Sequence, residues 1–125
     1  MLGSSKLVAF VGVRDANRAK AFYRDTLGLS LVSEDQFALA FDVQGTMLRV
    51  ALVPEINPAK YTVLGWQVDD IAATMQSLGS KGVKFEHYGF PTQDESGVWT
   101  APGGAKVAWF KDPDGNVLSI SQHLA

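Results

Sequence analysis

Hydrophobic and polar positions follow two periods along this chain: a period of two in several short segments and a helical spacing in two longer ones. The first half predicts a strand over 7–13, a helix from an Asp15 cap through Thr26, and strands over 30–33, 37–43 and 46–53. After a break at Pro54 to Pro58 the order begins again. It predicts a strand over 61–68, a helix capped by Asp69 or Asp70, and strands over 83–87, 106–111 and 117–123.

The two halves therefore repeat one βαβββ unit at an offset of about 54 residues. The repeat predicts an α+β fold in which two tandem units form a curved mixed sheet, with the helices on its outer face and a cup on its inner face. We expect one domain over residues 1–125, with half-units of about 5–54 and 60–124. The segment 88–105, rich in Gly and Pro, is predicted to be an irregular lid.

The composition of the chain indicates which classes of partner the protein is expected to have and in which compartment it is expected to reside. The chain has 125 residues, 46% of them hydrophobic, with a formal charge of −2 and no cysteine. This balance provides no basic field for nucleic acid, and the absence of cysteine fits a reducing compartment. The apolar run 7–13 is too short to span a membrane and is followed directly by Arg14-Asp15. We expect a cytoplasmic protein with neither a nucleic-acid nor a membrane partner.

Three motifs resemble the vicinal oxygen chelate superfamily, which contains glyoxalase I, bleomycin-resistance proteins and extradiol dioxygenases. They are Asp15-Ala-Asn-Arg-Ala-Lys-Ala-Phe-Tyr-Arg-Asp-Thr-Leu-Gly-Leu29, Val68-Asp-Asp-Ile71, and the hairpin with its turn, Trp109-Phe-Lys-Asp-Pro-Asp-Gly-Asn116. The matches involve both halves and nearly the whole length. The resemblance implies the paired-unit fold described above, with a ligand or a metal ion in the cup.

In metal-dependent members, the resemblance implies ligands of the His, Glu or Gln type on the first and last strands of each half. The corresponding places in this chain are Val8, Ala51, Val63 and Ser119. Valine and alanine have no donor atom, and a neutral serine hydroxyl is a poor ligand for a divalent cation. We therefore expect no metal and no cofactor, and glyoxalase or dioxygenase activity is not expected.

Strand side chains alternate between faces, so these places also indicate which residues look into the cup. The lining is mainly apolar, and we expect a small organic molecule, aromatic or anionic, as the ligand. Arg49 is predicted either to anchor an anionic group or to pair with Asp42 or Glu34. The candidate ligand-binding residues are Phe10, Met47, Arg49, Gln67, Trp99, Trp109, Ser119 and Ser121.

Three functions remain open from the sequence. The first is a metal-free binding protein that sequesters or carries a small molecule. The second is a lyase or isomerase with an unorthodox metal site or none, using His87, His123 or Tyr88 as acid or base. The third is a regulatory or structural module with an empty cup. Catalytic residues are not assigned. We expect a homodimer whose interface is formed by apolar surface near Trp66 or Trp99.

Overall fold

The computed structural model describes residues 1–124 and has an α+β architecture. The chain divides into two compact units, Met1–Asn57 and a second that begins at Pro58. These bounds lie close to the predicted half-units, and their membership in one domain stays a prediction. Within residues 1–124, no helix is both long enough and apolar enough to cross a lipid bilayer.

The first unit is a four-stranded mixed sheet with one helical segment. Its strands lie in the order β1-β4-β3-β2; β1 runs parallel to β4, and the other neighbours are antiparallel. The elements are a short 3-10 turn at Leu2–Ser4, β1 (Val8–Val13), α1 (Ala16–Lys20) with a π-helical continuation at Ala21–Thr26, β2 (Ser30–Glu34), β3 (Ala38–Val43) and β4 (Thr46–Leu52).

The predicted cap and turn of this unit are present. The Asp15 carboxylate accepts hydrogen bonds from the backbone N–H groups of Asn17 and Arg18, at 2.8 and 3.1 Å, as an N-cap residue does. Gln44 and Gly45 both have positive φ, 49° and 84°, which a tight turn between two antiparallel strands requires.

The first helix differs from the sequence prediction. The helical segment ends at Thr26 as predicted, but its second half is π-helical, and the Leu27 N–H donates to the carbonyl of Phe22, five residues back, at 2.9 Å. The widened turn is accompanied by full burial of Tyr23, whose ring packs against Phe22 and Phe41 at centroid distances of 5.0 and 6.2 Å.

The second unit repeats the order of elements. Its strands lie in the order β5-β8-β7-β6, with β5 parallel to β8 and the other neighbours antiparallel. Asp70, rather than Asp69, caps the helix through a 3.1 Å bond from the Ala73 N–H. The elements are β5 (Leu64–Gln67), α2 (Ile71–Ser80), β6 (Trp99–Thr100), β7 (Lys106–Lys111) and β8 (Val117–Gln122).

The sequence assigned the fourth strand of this sheet to the wrong segment. Residues 83–87 form no strand, although the Glu86 N–H donates to the carbonyl of Trp109 at 2.8 Å. The edge of β7 pairs instead with Trp99–Thr100, inside the segment predicted to be an irregular lid. The alternation of Val83 and Phe85 reflects packing, because the Phe85 ring lies 5.7 Å from that of Phe110 in the core.

The hairpin between β7 and β8 has the predicted turn. The Asp112 side chain, 5% exposed, accepts hydrogen bonds from the backbone N–H groups of Asp114 and Asn116, both at 2.9 Å, and from the Asn116 amide at 2.8 Å. Gly115 has a φ of 88°, which favours glycine. This turn fixes the register that places Trp109 opposite Ser119 and Val107 opposite Ser121.

Candidate functional site

The second sheet has one face covered by α2 and one face that the helix leaves uncovered. On the helix side, Ala108, Phe110, Leu118 and Ile120 are almost fully buried. Because strand side chains alternate, the residues between them point to the other face. Strand pairing arranges those residues in two rows across the sheet: Gln67, Ser121, Val107 and Trp99 in one, and Gly65, Ser119 and Trp109 in the next.

Four aromatic side chains gather at the β6–β7 end of this face, and we call them the aromatic cluster: Tyr88, Phe90, Trp99 and Trp109. The ring centroids of Trp109 lie 5.5 Å from Tyr88, 5.8 Å from Phe90 and 6.1 Å from Trp99. These separations are those of favourable aromatic pairs. Tyr88 and Phe90 remain 44% and 42% exposed, so the cluster presents ring surface to solvent rather than closing into a core.

The segment that carries Tyr88 and Phe90 is fixed by the side-chain amide of Gln93. Its Nε2 donates to the carbonyls of Glu86 and Gly97, both at 2.9 Å, and its Oε1 accepts the Tyr88 N–H at 2.8 Å. One side chain thus ties together three points of the chain around the cluster. A half-buried amide that satisfies backbone groups in this way holds an irregular segment in one conformation.

The turn that follows is held by Asp94. Its carboxylate accepts the Ser96 hydroxyl at 2.7 Å and the backbone N–H groups of Ser96, Gly97 and Val98 at 2.9 to 3.1 Å. The hydrogen bond from the Ser96 side chain, followed by the one from the Val98 N–H, lowers the pKa of Asp94 below its ordinary value. Gly97 adopts a φ of 104°, a conformation that a side chain would disfavour.

Of the groups predicted as acid or base, His87 has a structural partner, as does its neighbour Glu86. The Nε2 of His87 bonds to the carbonyl of Glu95 at 2.9 Å, and Glu86 pairs with Lys111 at 3.3 Å. Burial, followed by the negative charge of Glu86, raises the pKa of Tyr88 above its ordinary value. The phenol of Tyr88 is therefore neutral over the physiological range and behaves as part of the apolar surface with a polar edge.

A polar pair lies on the same face beside the cluster. The Oγ of Ser121 and the Nε2 of His123 are 3.0 Å apart. Ser121 is partly exposed, whereas Ser119, two residues earlier on the strand, is only 8% exposed. A Cβ added at Gly65 would lie 3.0 Å from the Ser119 Oγ, so a side chain at position 65 would crowd that hydroxyl.

The first unit has its own uncovered face, which brings together the remaining predicted residues. Phe10, Arg49 and Ala40 form one row across β1, β4 and β3, and Val8, Met47 and Asp42 form the next. Phe10 is 62% exposed and Met47 is 44% exposed. A cavity of about 420 Å³ lies on this unit, lined by residues that include Val8, Ala40, Asp42 and Met47.

Arg49 has a different electrostatic neighbour from the two that the sequence suggested. Glu34 pairs with Lys20, with the Nζ and Oε1 atoms 2.5 Å apart. Among residues 1–124, no carboxylate lies within 4.0 Å of the Arg49 guanidinium. Its charge acts instead on Asp35, whose pKa is lowered first by hydrogen bonds from the Phe37 and Ala38 N–H groups and last by Arg49.

The residues at the four places that the family resemblance assigns to metal ligands do not fit a metal ion. Val8, Ala51 and Val63 have no donor atom, and Ser119 contributes a single buried hydroxyl. Within the part of the chain that the structure describes, no group of three or more His, Asp or Glu side chains is arranged to hold a metal ion.

Sequence reasoning placed Trp99 and Trp109 among the ligand-binding candidates but missed their neighbours. Tyr88 was considered only as an acid or base, and Phe90 was not considered. The available signal was their spacing, because residues i and i+2 of an extended segment point the same way. The structure places both in contact with Trp109.

The fold defined by two βαβββ units, with an uncovered sheet face in each, is that of the glyoxalase-like proteins. The chain belongs to the Glyoxalase/Bleomycin resistance protein/Dioxygenase superfamily, whose family model matches residues 7–120. The alignment with protein YraH of Bacillus subtilis (strain 168) is 128 residues long and has 30% identity. It covers 90% of this chain and 93% of YraH. This membership confirms the family and the α+β fold that the sequence motifs predicted.

Solved structures of the superfamily match along nearly the whole chain. TnmS3, an antibiotic binding protein from Streptomyces sp. CB03234, is 27% identical with a TM-score of 0.75, and the match covers 99% of each chain. A superfamily member from Sphaerobacter thermophilus DSM 20745 is 25% identical with a TM-score of 0.75, covering 98% of this chain and 100% of that one. A fosfomycin resistance protein, FosX, from Listeria monocytogenes shares the fold at 14% identity, with a TM-score of 0.75 and coverage of 97% and 94%.

Proposed function

We propose that this protein binds a small molecule containing a flat aromatic ring system, which stacks on the aromatic cluster of the second unit. The observation that carries the proposal is the partial exposure of four rings held 5.5 to 6.1 Å apart on the uncovered face of a sheet. Large aromatic surfaces left in contact with water are unfavourable, and a planar ligand removes that surface from water while stacking on the rings.

The fixed geometry of the cluster supports binding rather than simple exposure. The Gln93 amide and the Asp94 turn hold the segment between Tyr88 and Trp99 before any ligand arrives. A preorganised site loses less conformational entropy on binding than a mobile one. TnmS3, which matches this chain along its length, is an antibiotic binding protein, and a binding role for this chain is consistent with that similarity.

The three tryptophans provide a direct test. Trp99 and Trp109 belong to the aromatic cluster, whereas Trp66 lies on β5 opposite Ile120, on the helix side of the sheet. We expect a bound aromatic compound to quench the fluorescence of Trp99 and Trp109. The experiment titrates the protein with a panel of bicyclic and tricyclic aromatic compounds and follows intrinsic fluorescence.

Two variants separate site binding from nonspecific quenching. Trp66→Phe retains both tryptophans of the cluster and should retain saturable quenching with the wild-type midpoint. The double variant Trp99→Phe with Trp109→Phe keeps only Trp66 and should lose it. The proposal is wrong if no compound in the panel gives saturable quenching, or if the double variant responds like the wild type.

A further inference from the structure

We infer that the Ser121–His123 pair donates a hydrogen bond to an acceptor oxygen on the aromatic ligand, so that the ligand class is an aromatic carbonyl compound or a close analogue. The inference rests on the proposed function, because it names the group that accompanies the stacked ring. It is based on the 3.0 Å contact between the Ser121 Oγ and the His123 Nε2, on the same sheet face as the aromatic cluster.

The strand pairing sets the distance between the ring and the pair. Trp109 lies opposite Ser119, and Ser121 is the next residue of β8 on that face. Diagonal neighbours of this kind are separated by about 7 to 8 Å. That distance is close to the length of a two-ring system, so a substituent on a ring stacked on Trp109 comes within reach of the Ser121 hydroxyl.

The number of polar hydrogens on Ser121 and His123 shows how many hydrogen bonds the pair can donate. The serine hydroxyl and a neutral imidazole carry two polar hydrogens together, and the contact between them uses one. A protonated imidazole adds a third. When the imidazole donates the hydrogen of the contact, the Ser121 hydroxyl keeps its own for a ligand; when Ser121 donates it, the remaining hydrogen lies on the Nδ1 of His123.

The residues next to the pair also provide hydrogen-bond donors. Gln67 is exposed, lies directly across from Ser121 in the same row and adds an amide with two donor hydrogens. The rest of the row is Val107 and Trp99, which are apolar or aromatic. The face therefore has a donor end at Gln67, Ser121 and His123 and an aromatic end at Trp99 and Trp109, which suits a ligand with a carbonyl oxygen at one end of a ring system.

The test compares two ligands of nearly the same shape. 2-Acetylnaphthalene carries a carbonyl oxygen where 2-isopropenylnaphthalene carries a CH₂ group, and neither compound is charged. We expect the wild-type protein to bind the ketone about fivefold more tightly than the hydrocarbon, which is the size of one neutral hydrogen bond. Binding is followed by tryptophan fluorescence or by calorimetry.

Variants then assign the preference to the pair. Ser121→Ala should reduce the ratio of the two affinities to about one, and Ser121→Thr, which keeps a hydroxyl, should retain most of the ratio. Ser77→Ala, at an exposed position of α2, is the matched control and should behave like the wild type.

The outcomes distinguish this inference from the proposed function. Equal affinity of the wild type for the two compounds would overturn the hydrogen-bond inference and leave aromatic binding standing. A ratio that persists in Ser121→Ala would overturn it as well. If neither compound binds to the wild type, stacking on the aromatic cluster fails, and the inference fails with it.

Discussion

Replacing Asp112 by alanine should destabilise the protein strongly, although the residue lies in a turn. Its buried carboxylate accepts three hydrogen bonds, two from backbone N–H groups and one from the Asn116 amide, at 2.8 to 2.9 Å. Asp112→Ala leaves these donors without that acceptor in a place that water reaches poorly. At about 1 kcal/mol for each donor, the low end of the range for buried groups, the free energy of unfolding should fall by about 3 kcal/mol.

A second carboxylate in the same unit tests whether burial, rather than the number of hydrogen bonds, determines how much stability is lost. Asp94 accepts four hydrogen bonds but is exposed, so water can replace its carboxylate in Asp94→Ala. We expect a loss of about 1 kcal/mol there, in the range of an exposed cap. Urea unfolding at pH 7 measures both, and melting temperatures should fall by about 10 °C for Asp112→Ala and about 4 °C for Asp94→Ala.

The reasoning fails if Asp112→Ala loses less than about 1 kcal/mol, or if Asp94→Ala loses as much as Asp112→Ala. Either result would mean that burial does not determine how much the free energy of unfolding falls when these acceptors are removed. A change in the denaturant slope of Asp112→Ala would indicate instead an altered native or denatured state and calls for a second measurement by calorimetry.

Four further predictions follow from the same structure. Arg49→Ala should leave the melting temperature nearly unchanged, since its effect on Asp35 is the smallest of the causes acting on that carboxylate, and should weaken binding of organic acids to the uncovered face of the first unit; a marked loss of stability would show a structural role. The pKa values of Asp35 and Asp94 are lowered in the fold, so their stabilisation is present above the ordinary value of 3.8 and is lost as pH falls below it; Asp94→Asn should flatten the acid limb of a melting curve followed against pH. Elemental analysis of the purified protein should show no stoichiometric zinc, nickel, iron or manganese, and an assay should show no glyoxalase activity; one chelator-sensitive ion per chain would contradict this. Sedimentation at tens of micromolar should show a homodimer, because units of this size bury little core alone, and a monomer would count against it.

The sequence predicted most elements of the fold because their signals are local. The Asp15 and Asp70 caps, the Gln44-Gly45 turn and the Asp112 turn each depend on residues a few positions apart. The alternation of side chains along β1 and β4 then placed residues on sheet faces that agree with their burial, since a period of two leaves only two registers.

The errors lie where the decisive contact is distant in sequence. Trp99–Thr100 is a strand of two residues, too short for any alternation, and it exists through pairing with Val107 and Lys106. The apolar residues Val83 and Phe85 gave a strand-like pattern, and Phe85 packs against Phe110, but this segment reaches the edge of β7 only through the bond from the Glu86 N–H to Trp109. Propensity alone could not decide which segment reaches that edge.

Only part of the candidate site was predicted, because the rest also depends on contacts between residues distant in sequence. Ser119 and Ser121 could be placed on one face from the register, whereas Trp99 and Trp109 were candidates only for their aromatic character, and the arrival of Tyr88 and Phe90 depends on the Gln93 amide. That amide bridges points up to seven residues away and has no sequence signature. Arg49 could be placed on its face, but its electrostatic neighbour, Asp35, follows from the loop geometry between β2 and β3.

The most direct test of aromatic binding is the response of the three indole N–H signals in a two-dimensional ¹⁵N–¹H NMR spectrum. Single Trp→Phe variants assign the signals of Trp66, Trp99 and Trp109. On titration with a bicyclic aromatic compound such as 2-acetylnaphthalene, we predict that the Trp99 and Trp109 signals shift with one common dissociation constant and that the Trp66 signal stays in place. Movement of Trp66 alone, or no movement of any of the three signals at saturating ligand, would contradict a binding site on the aromatic cluster.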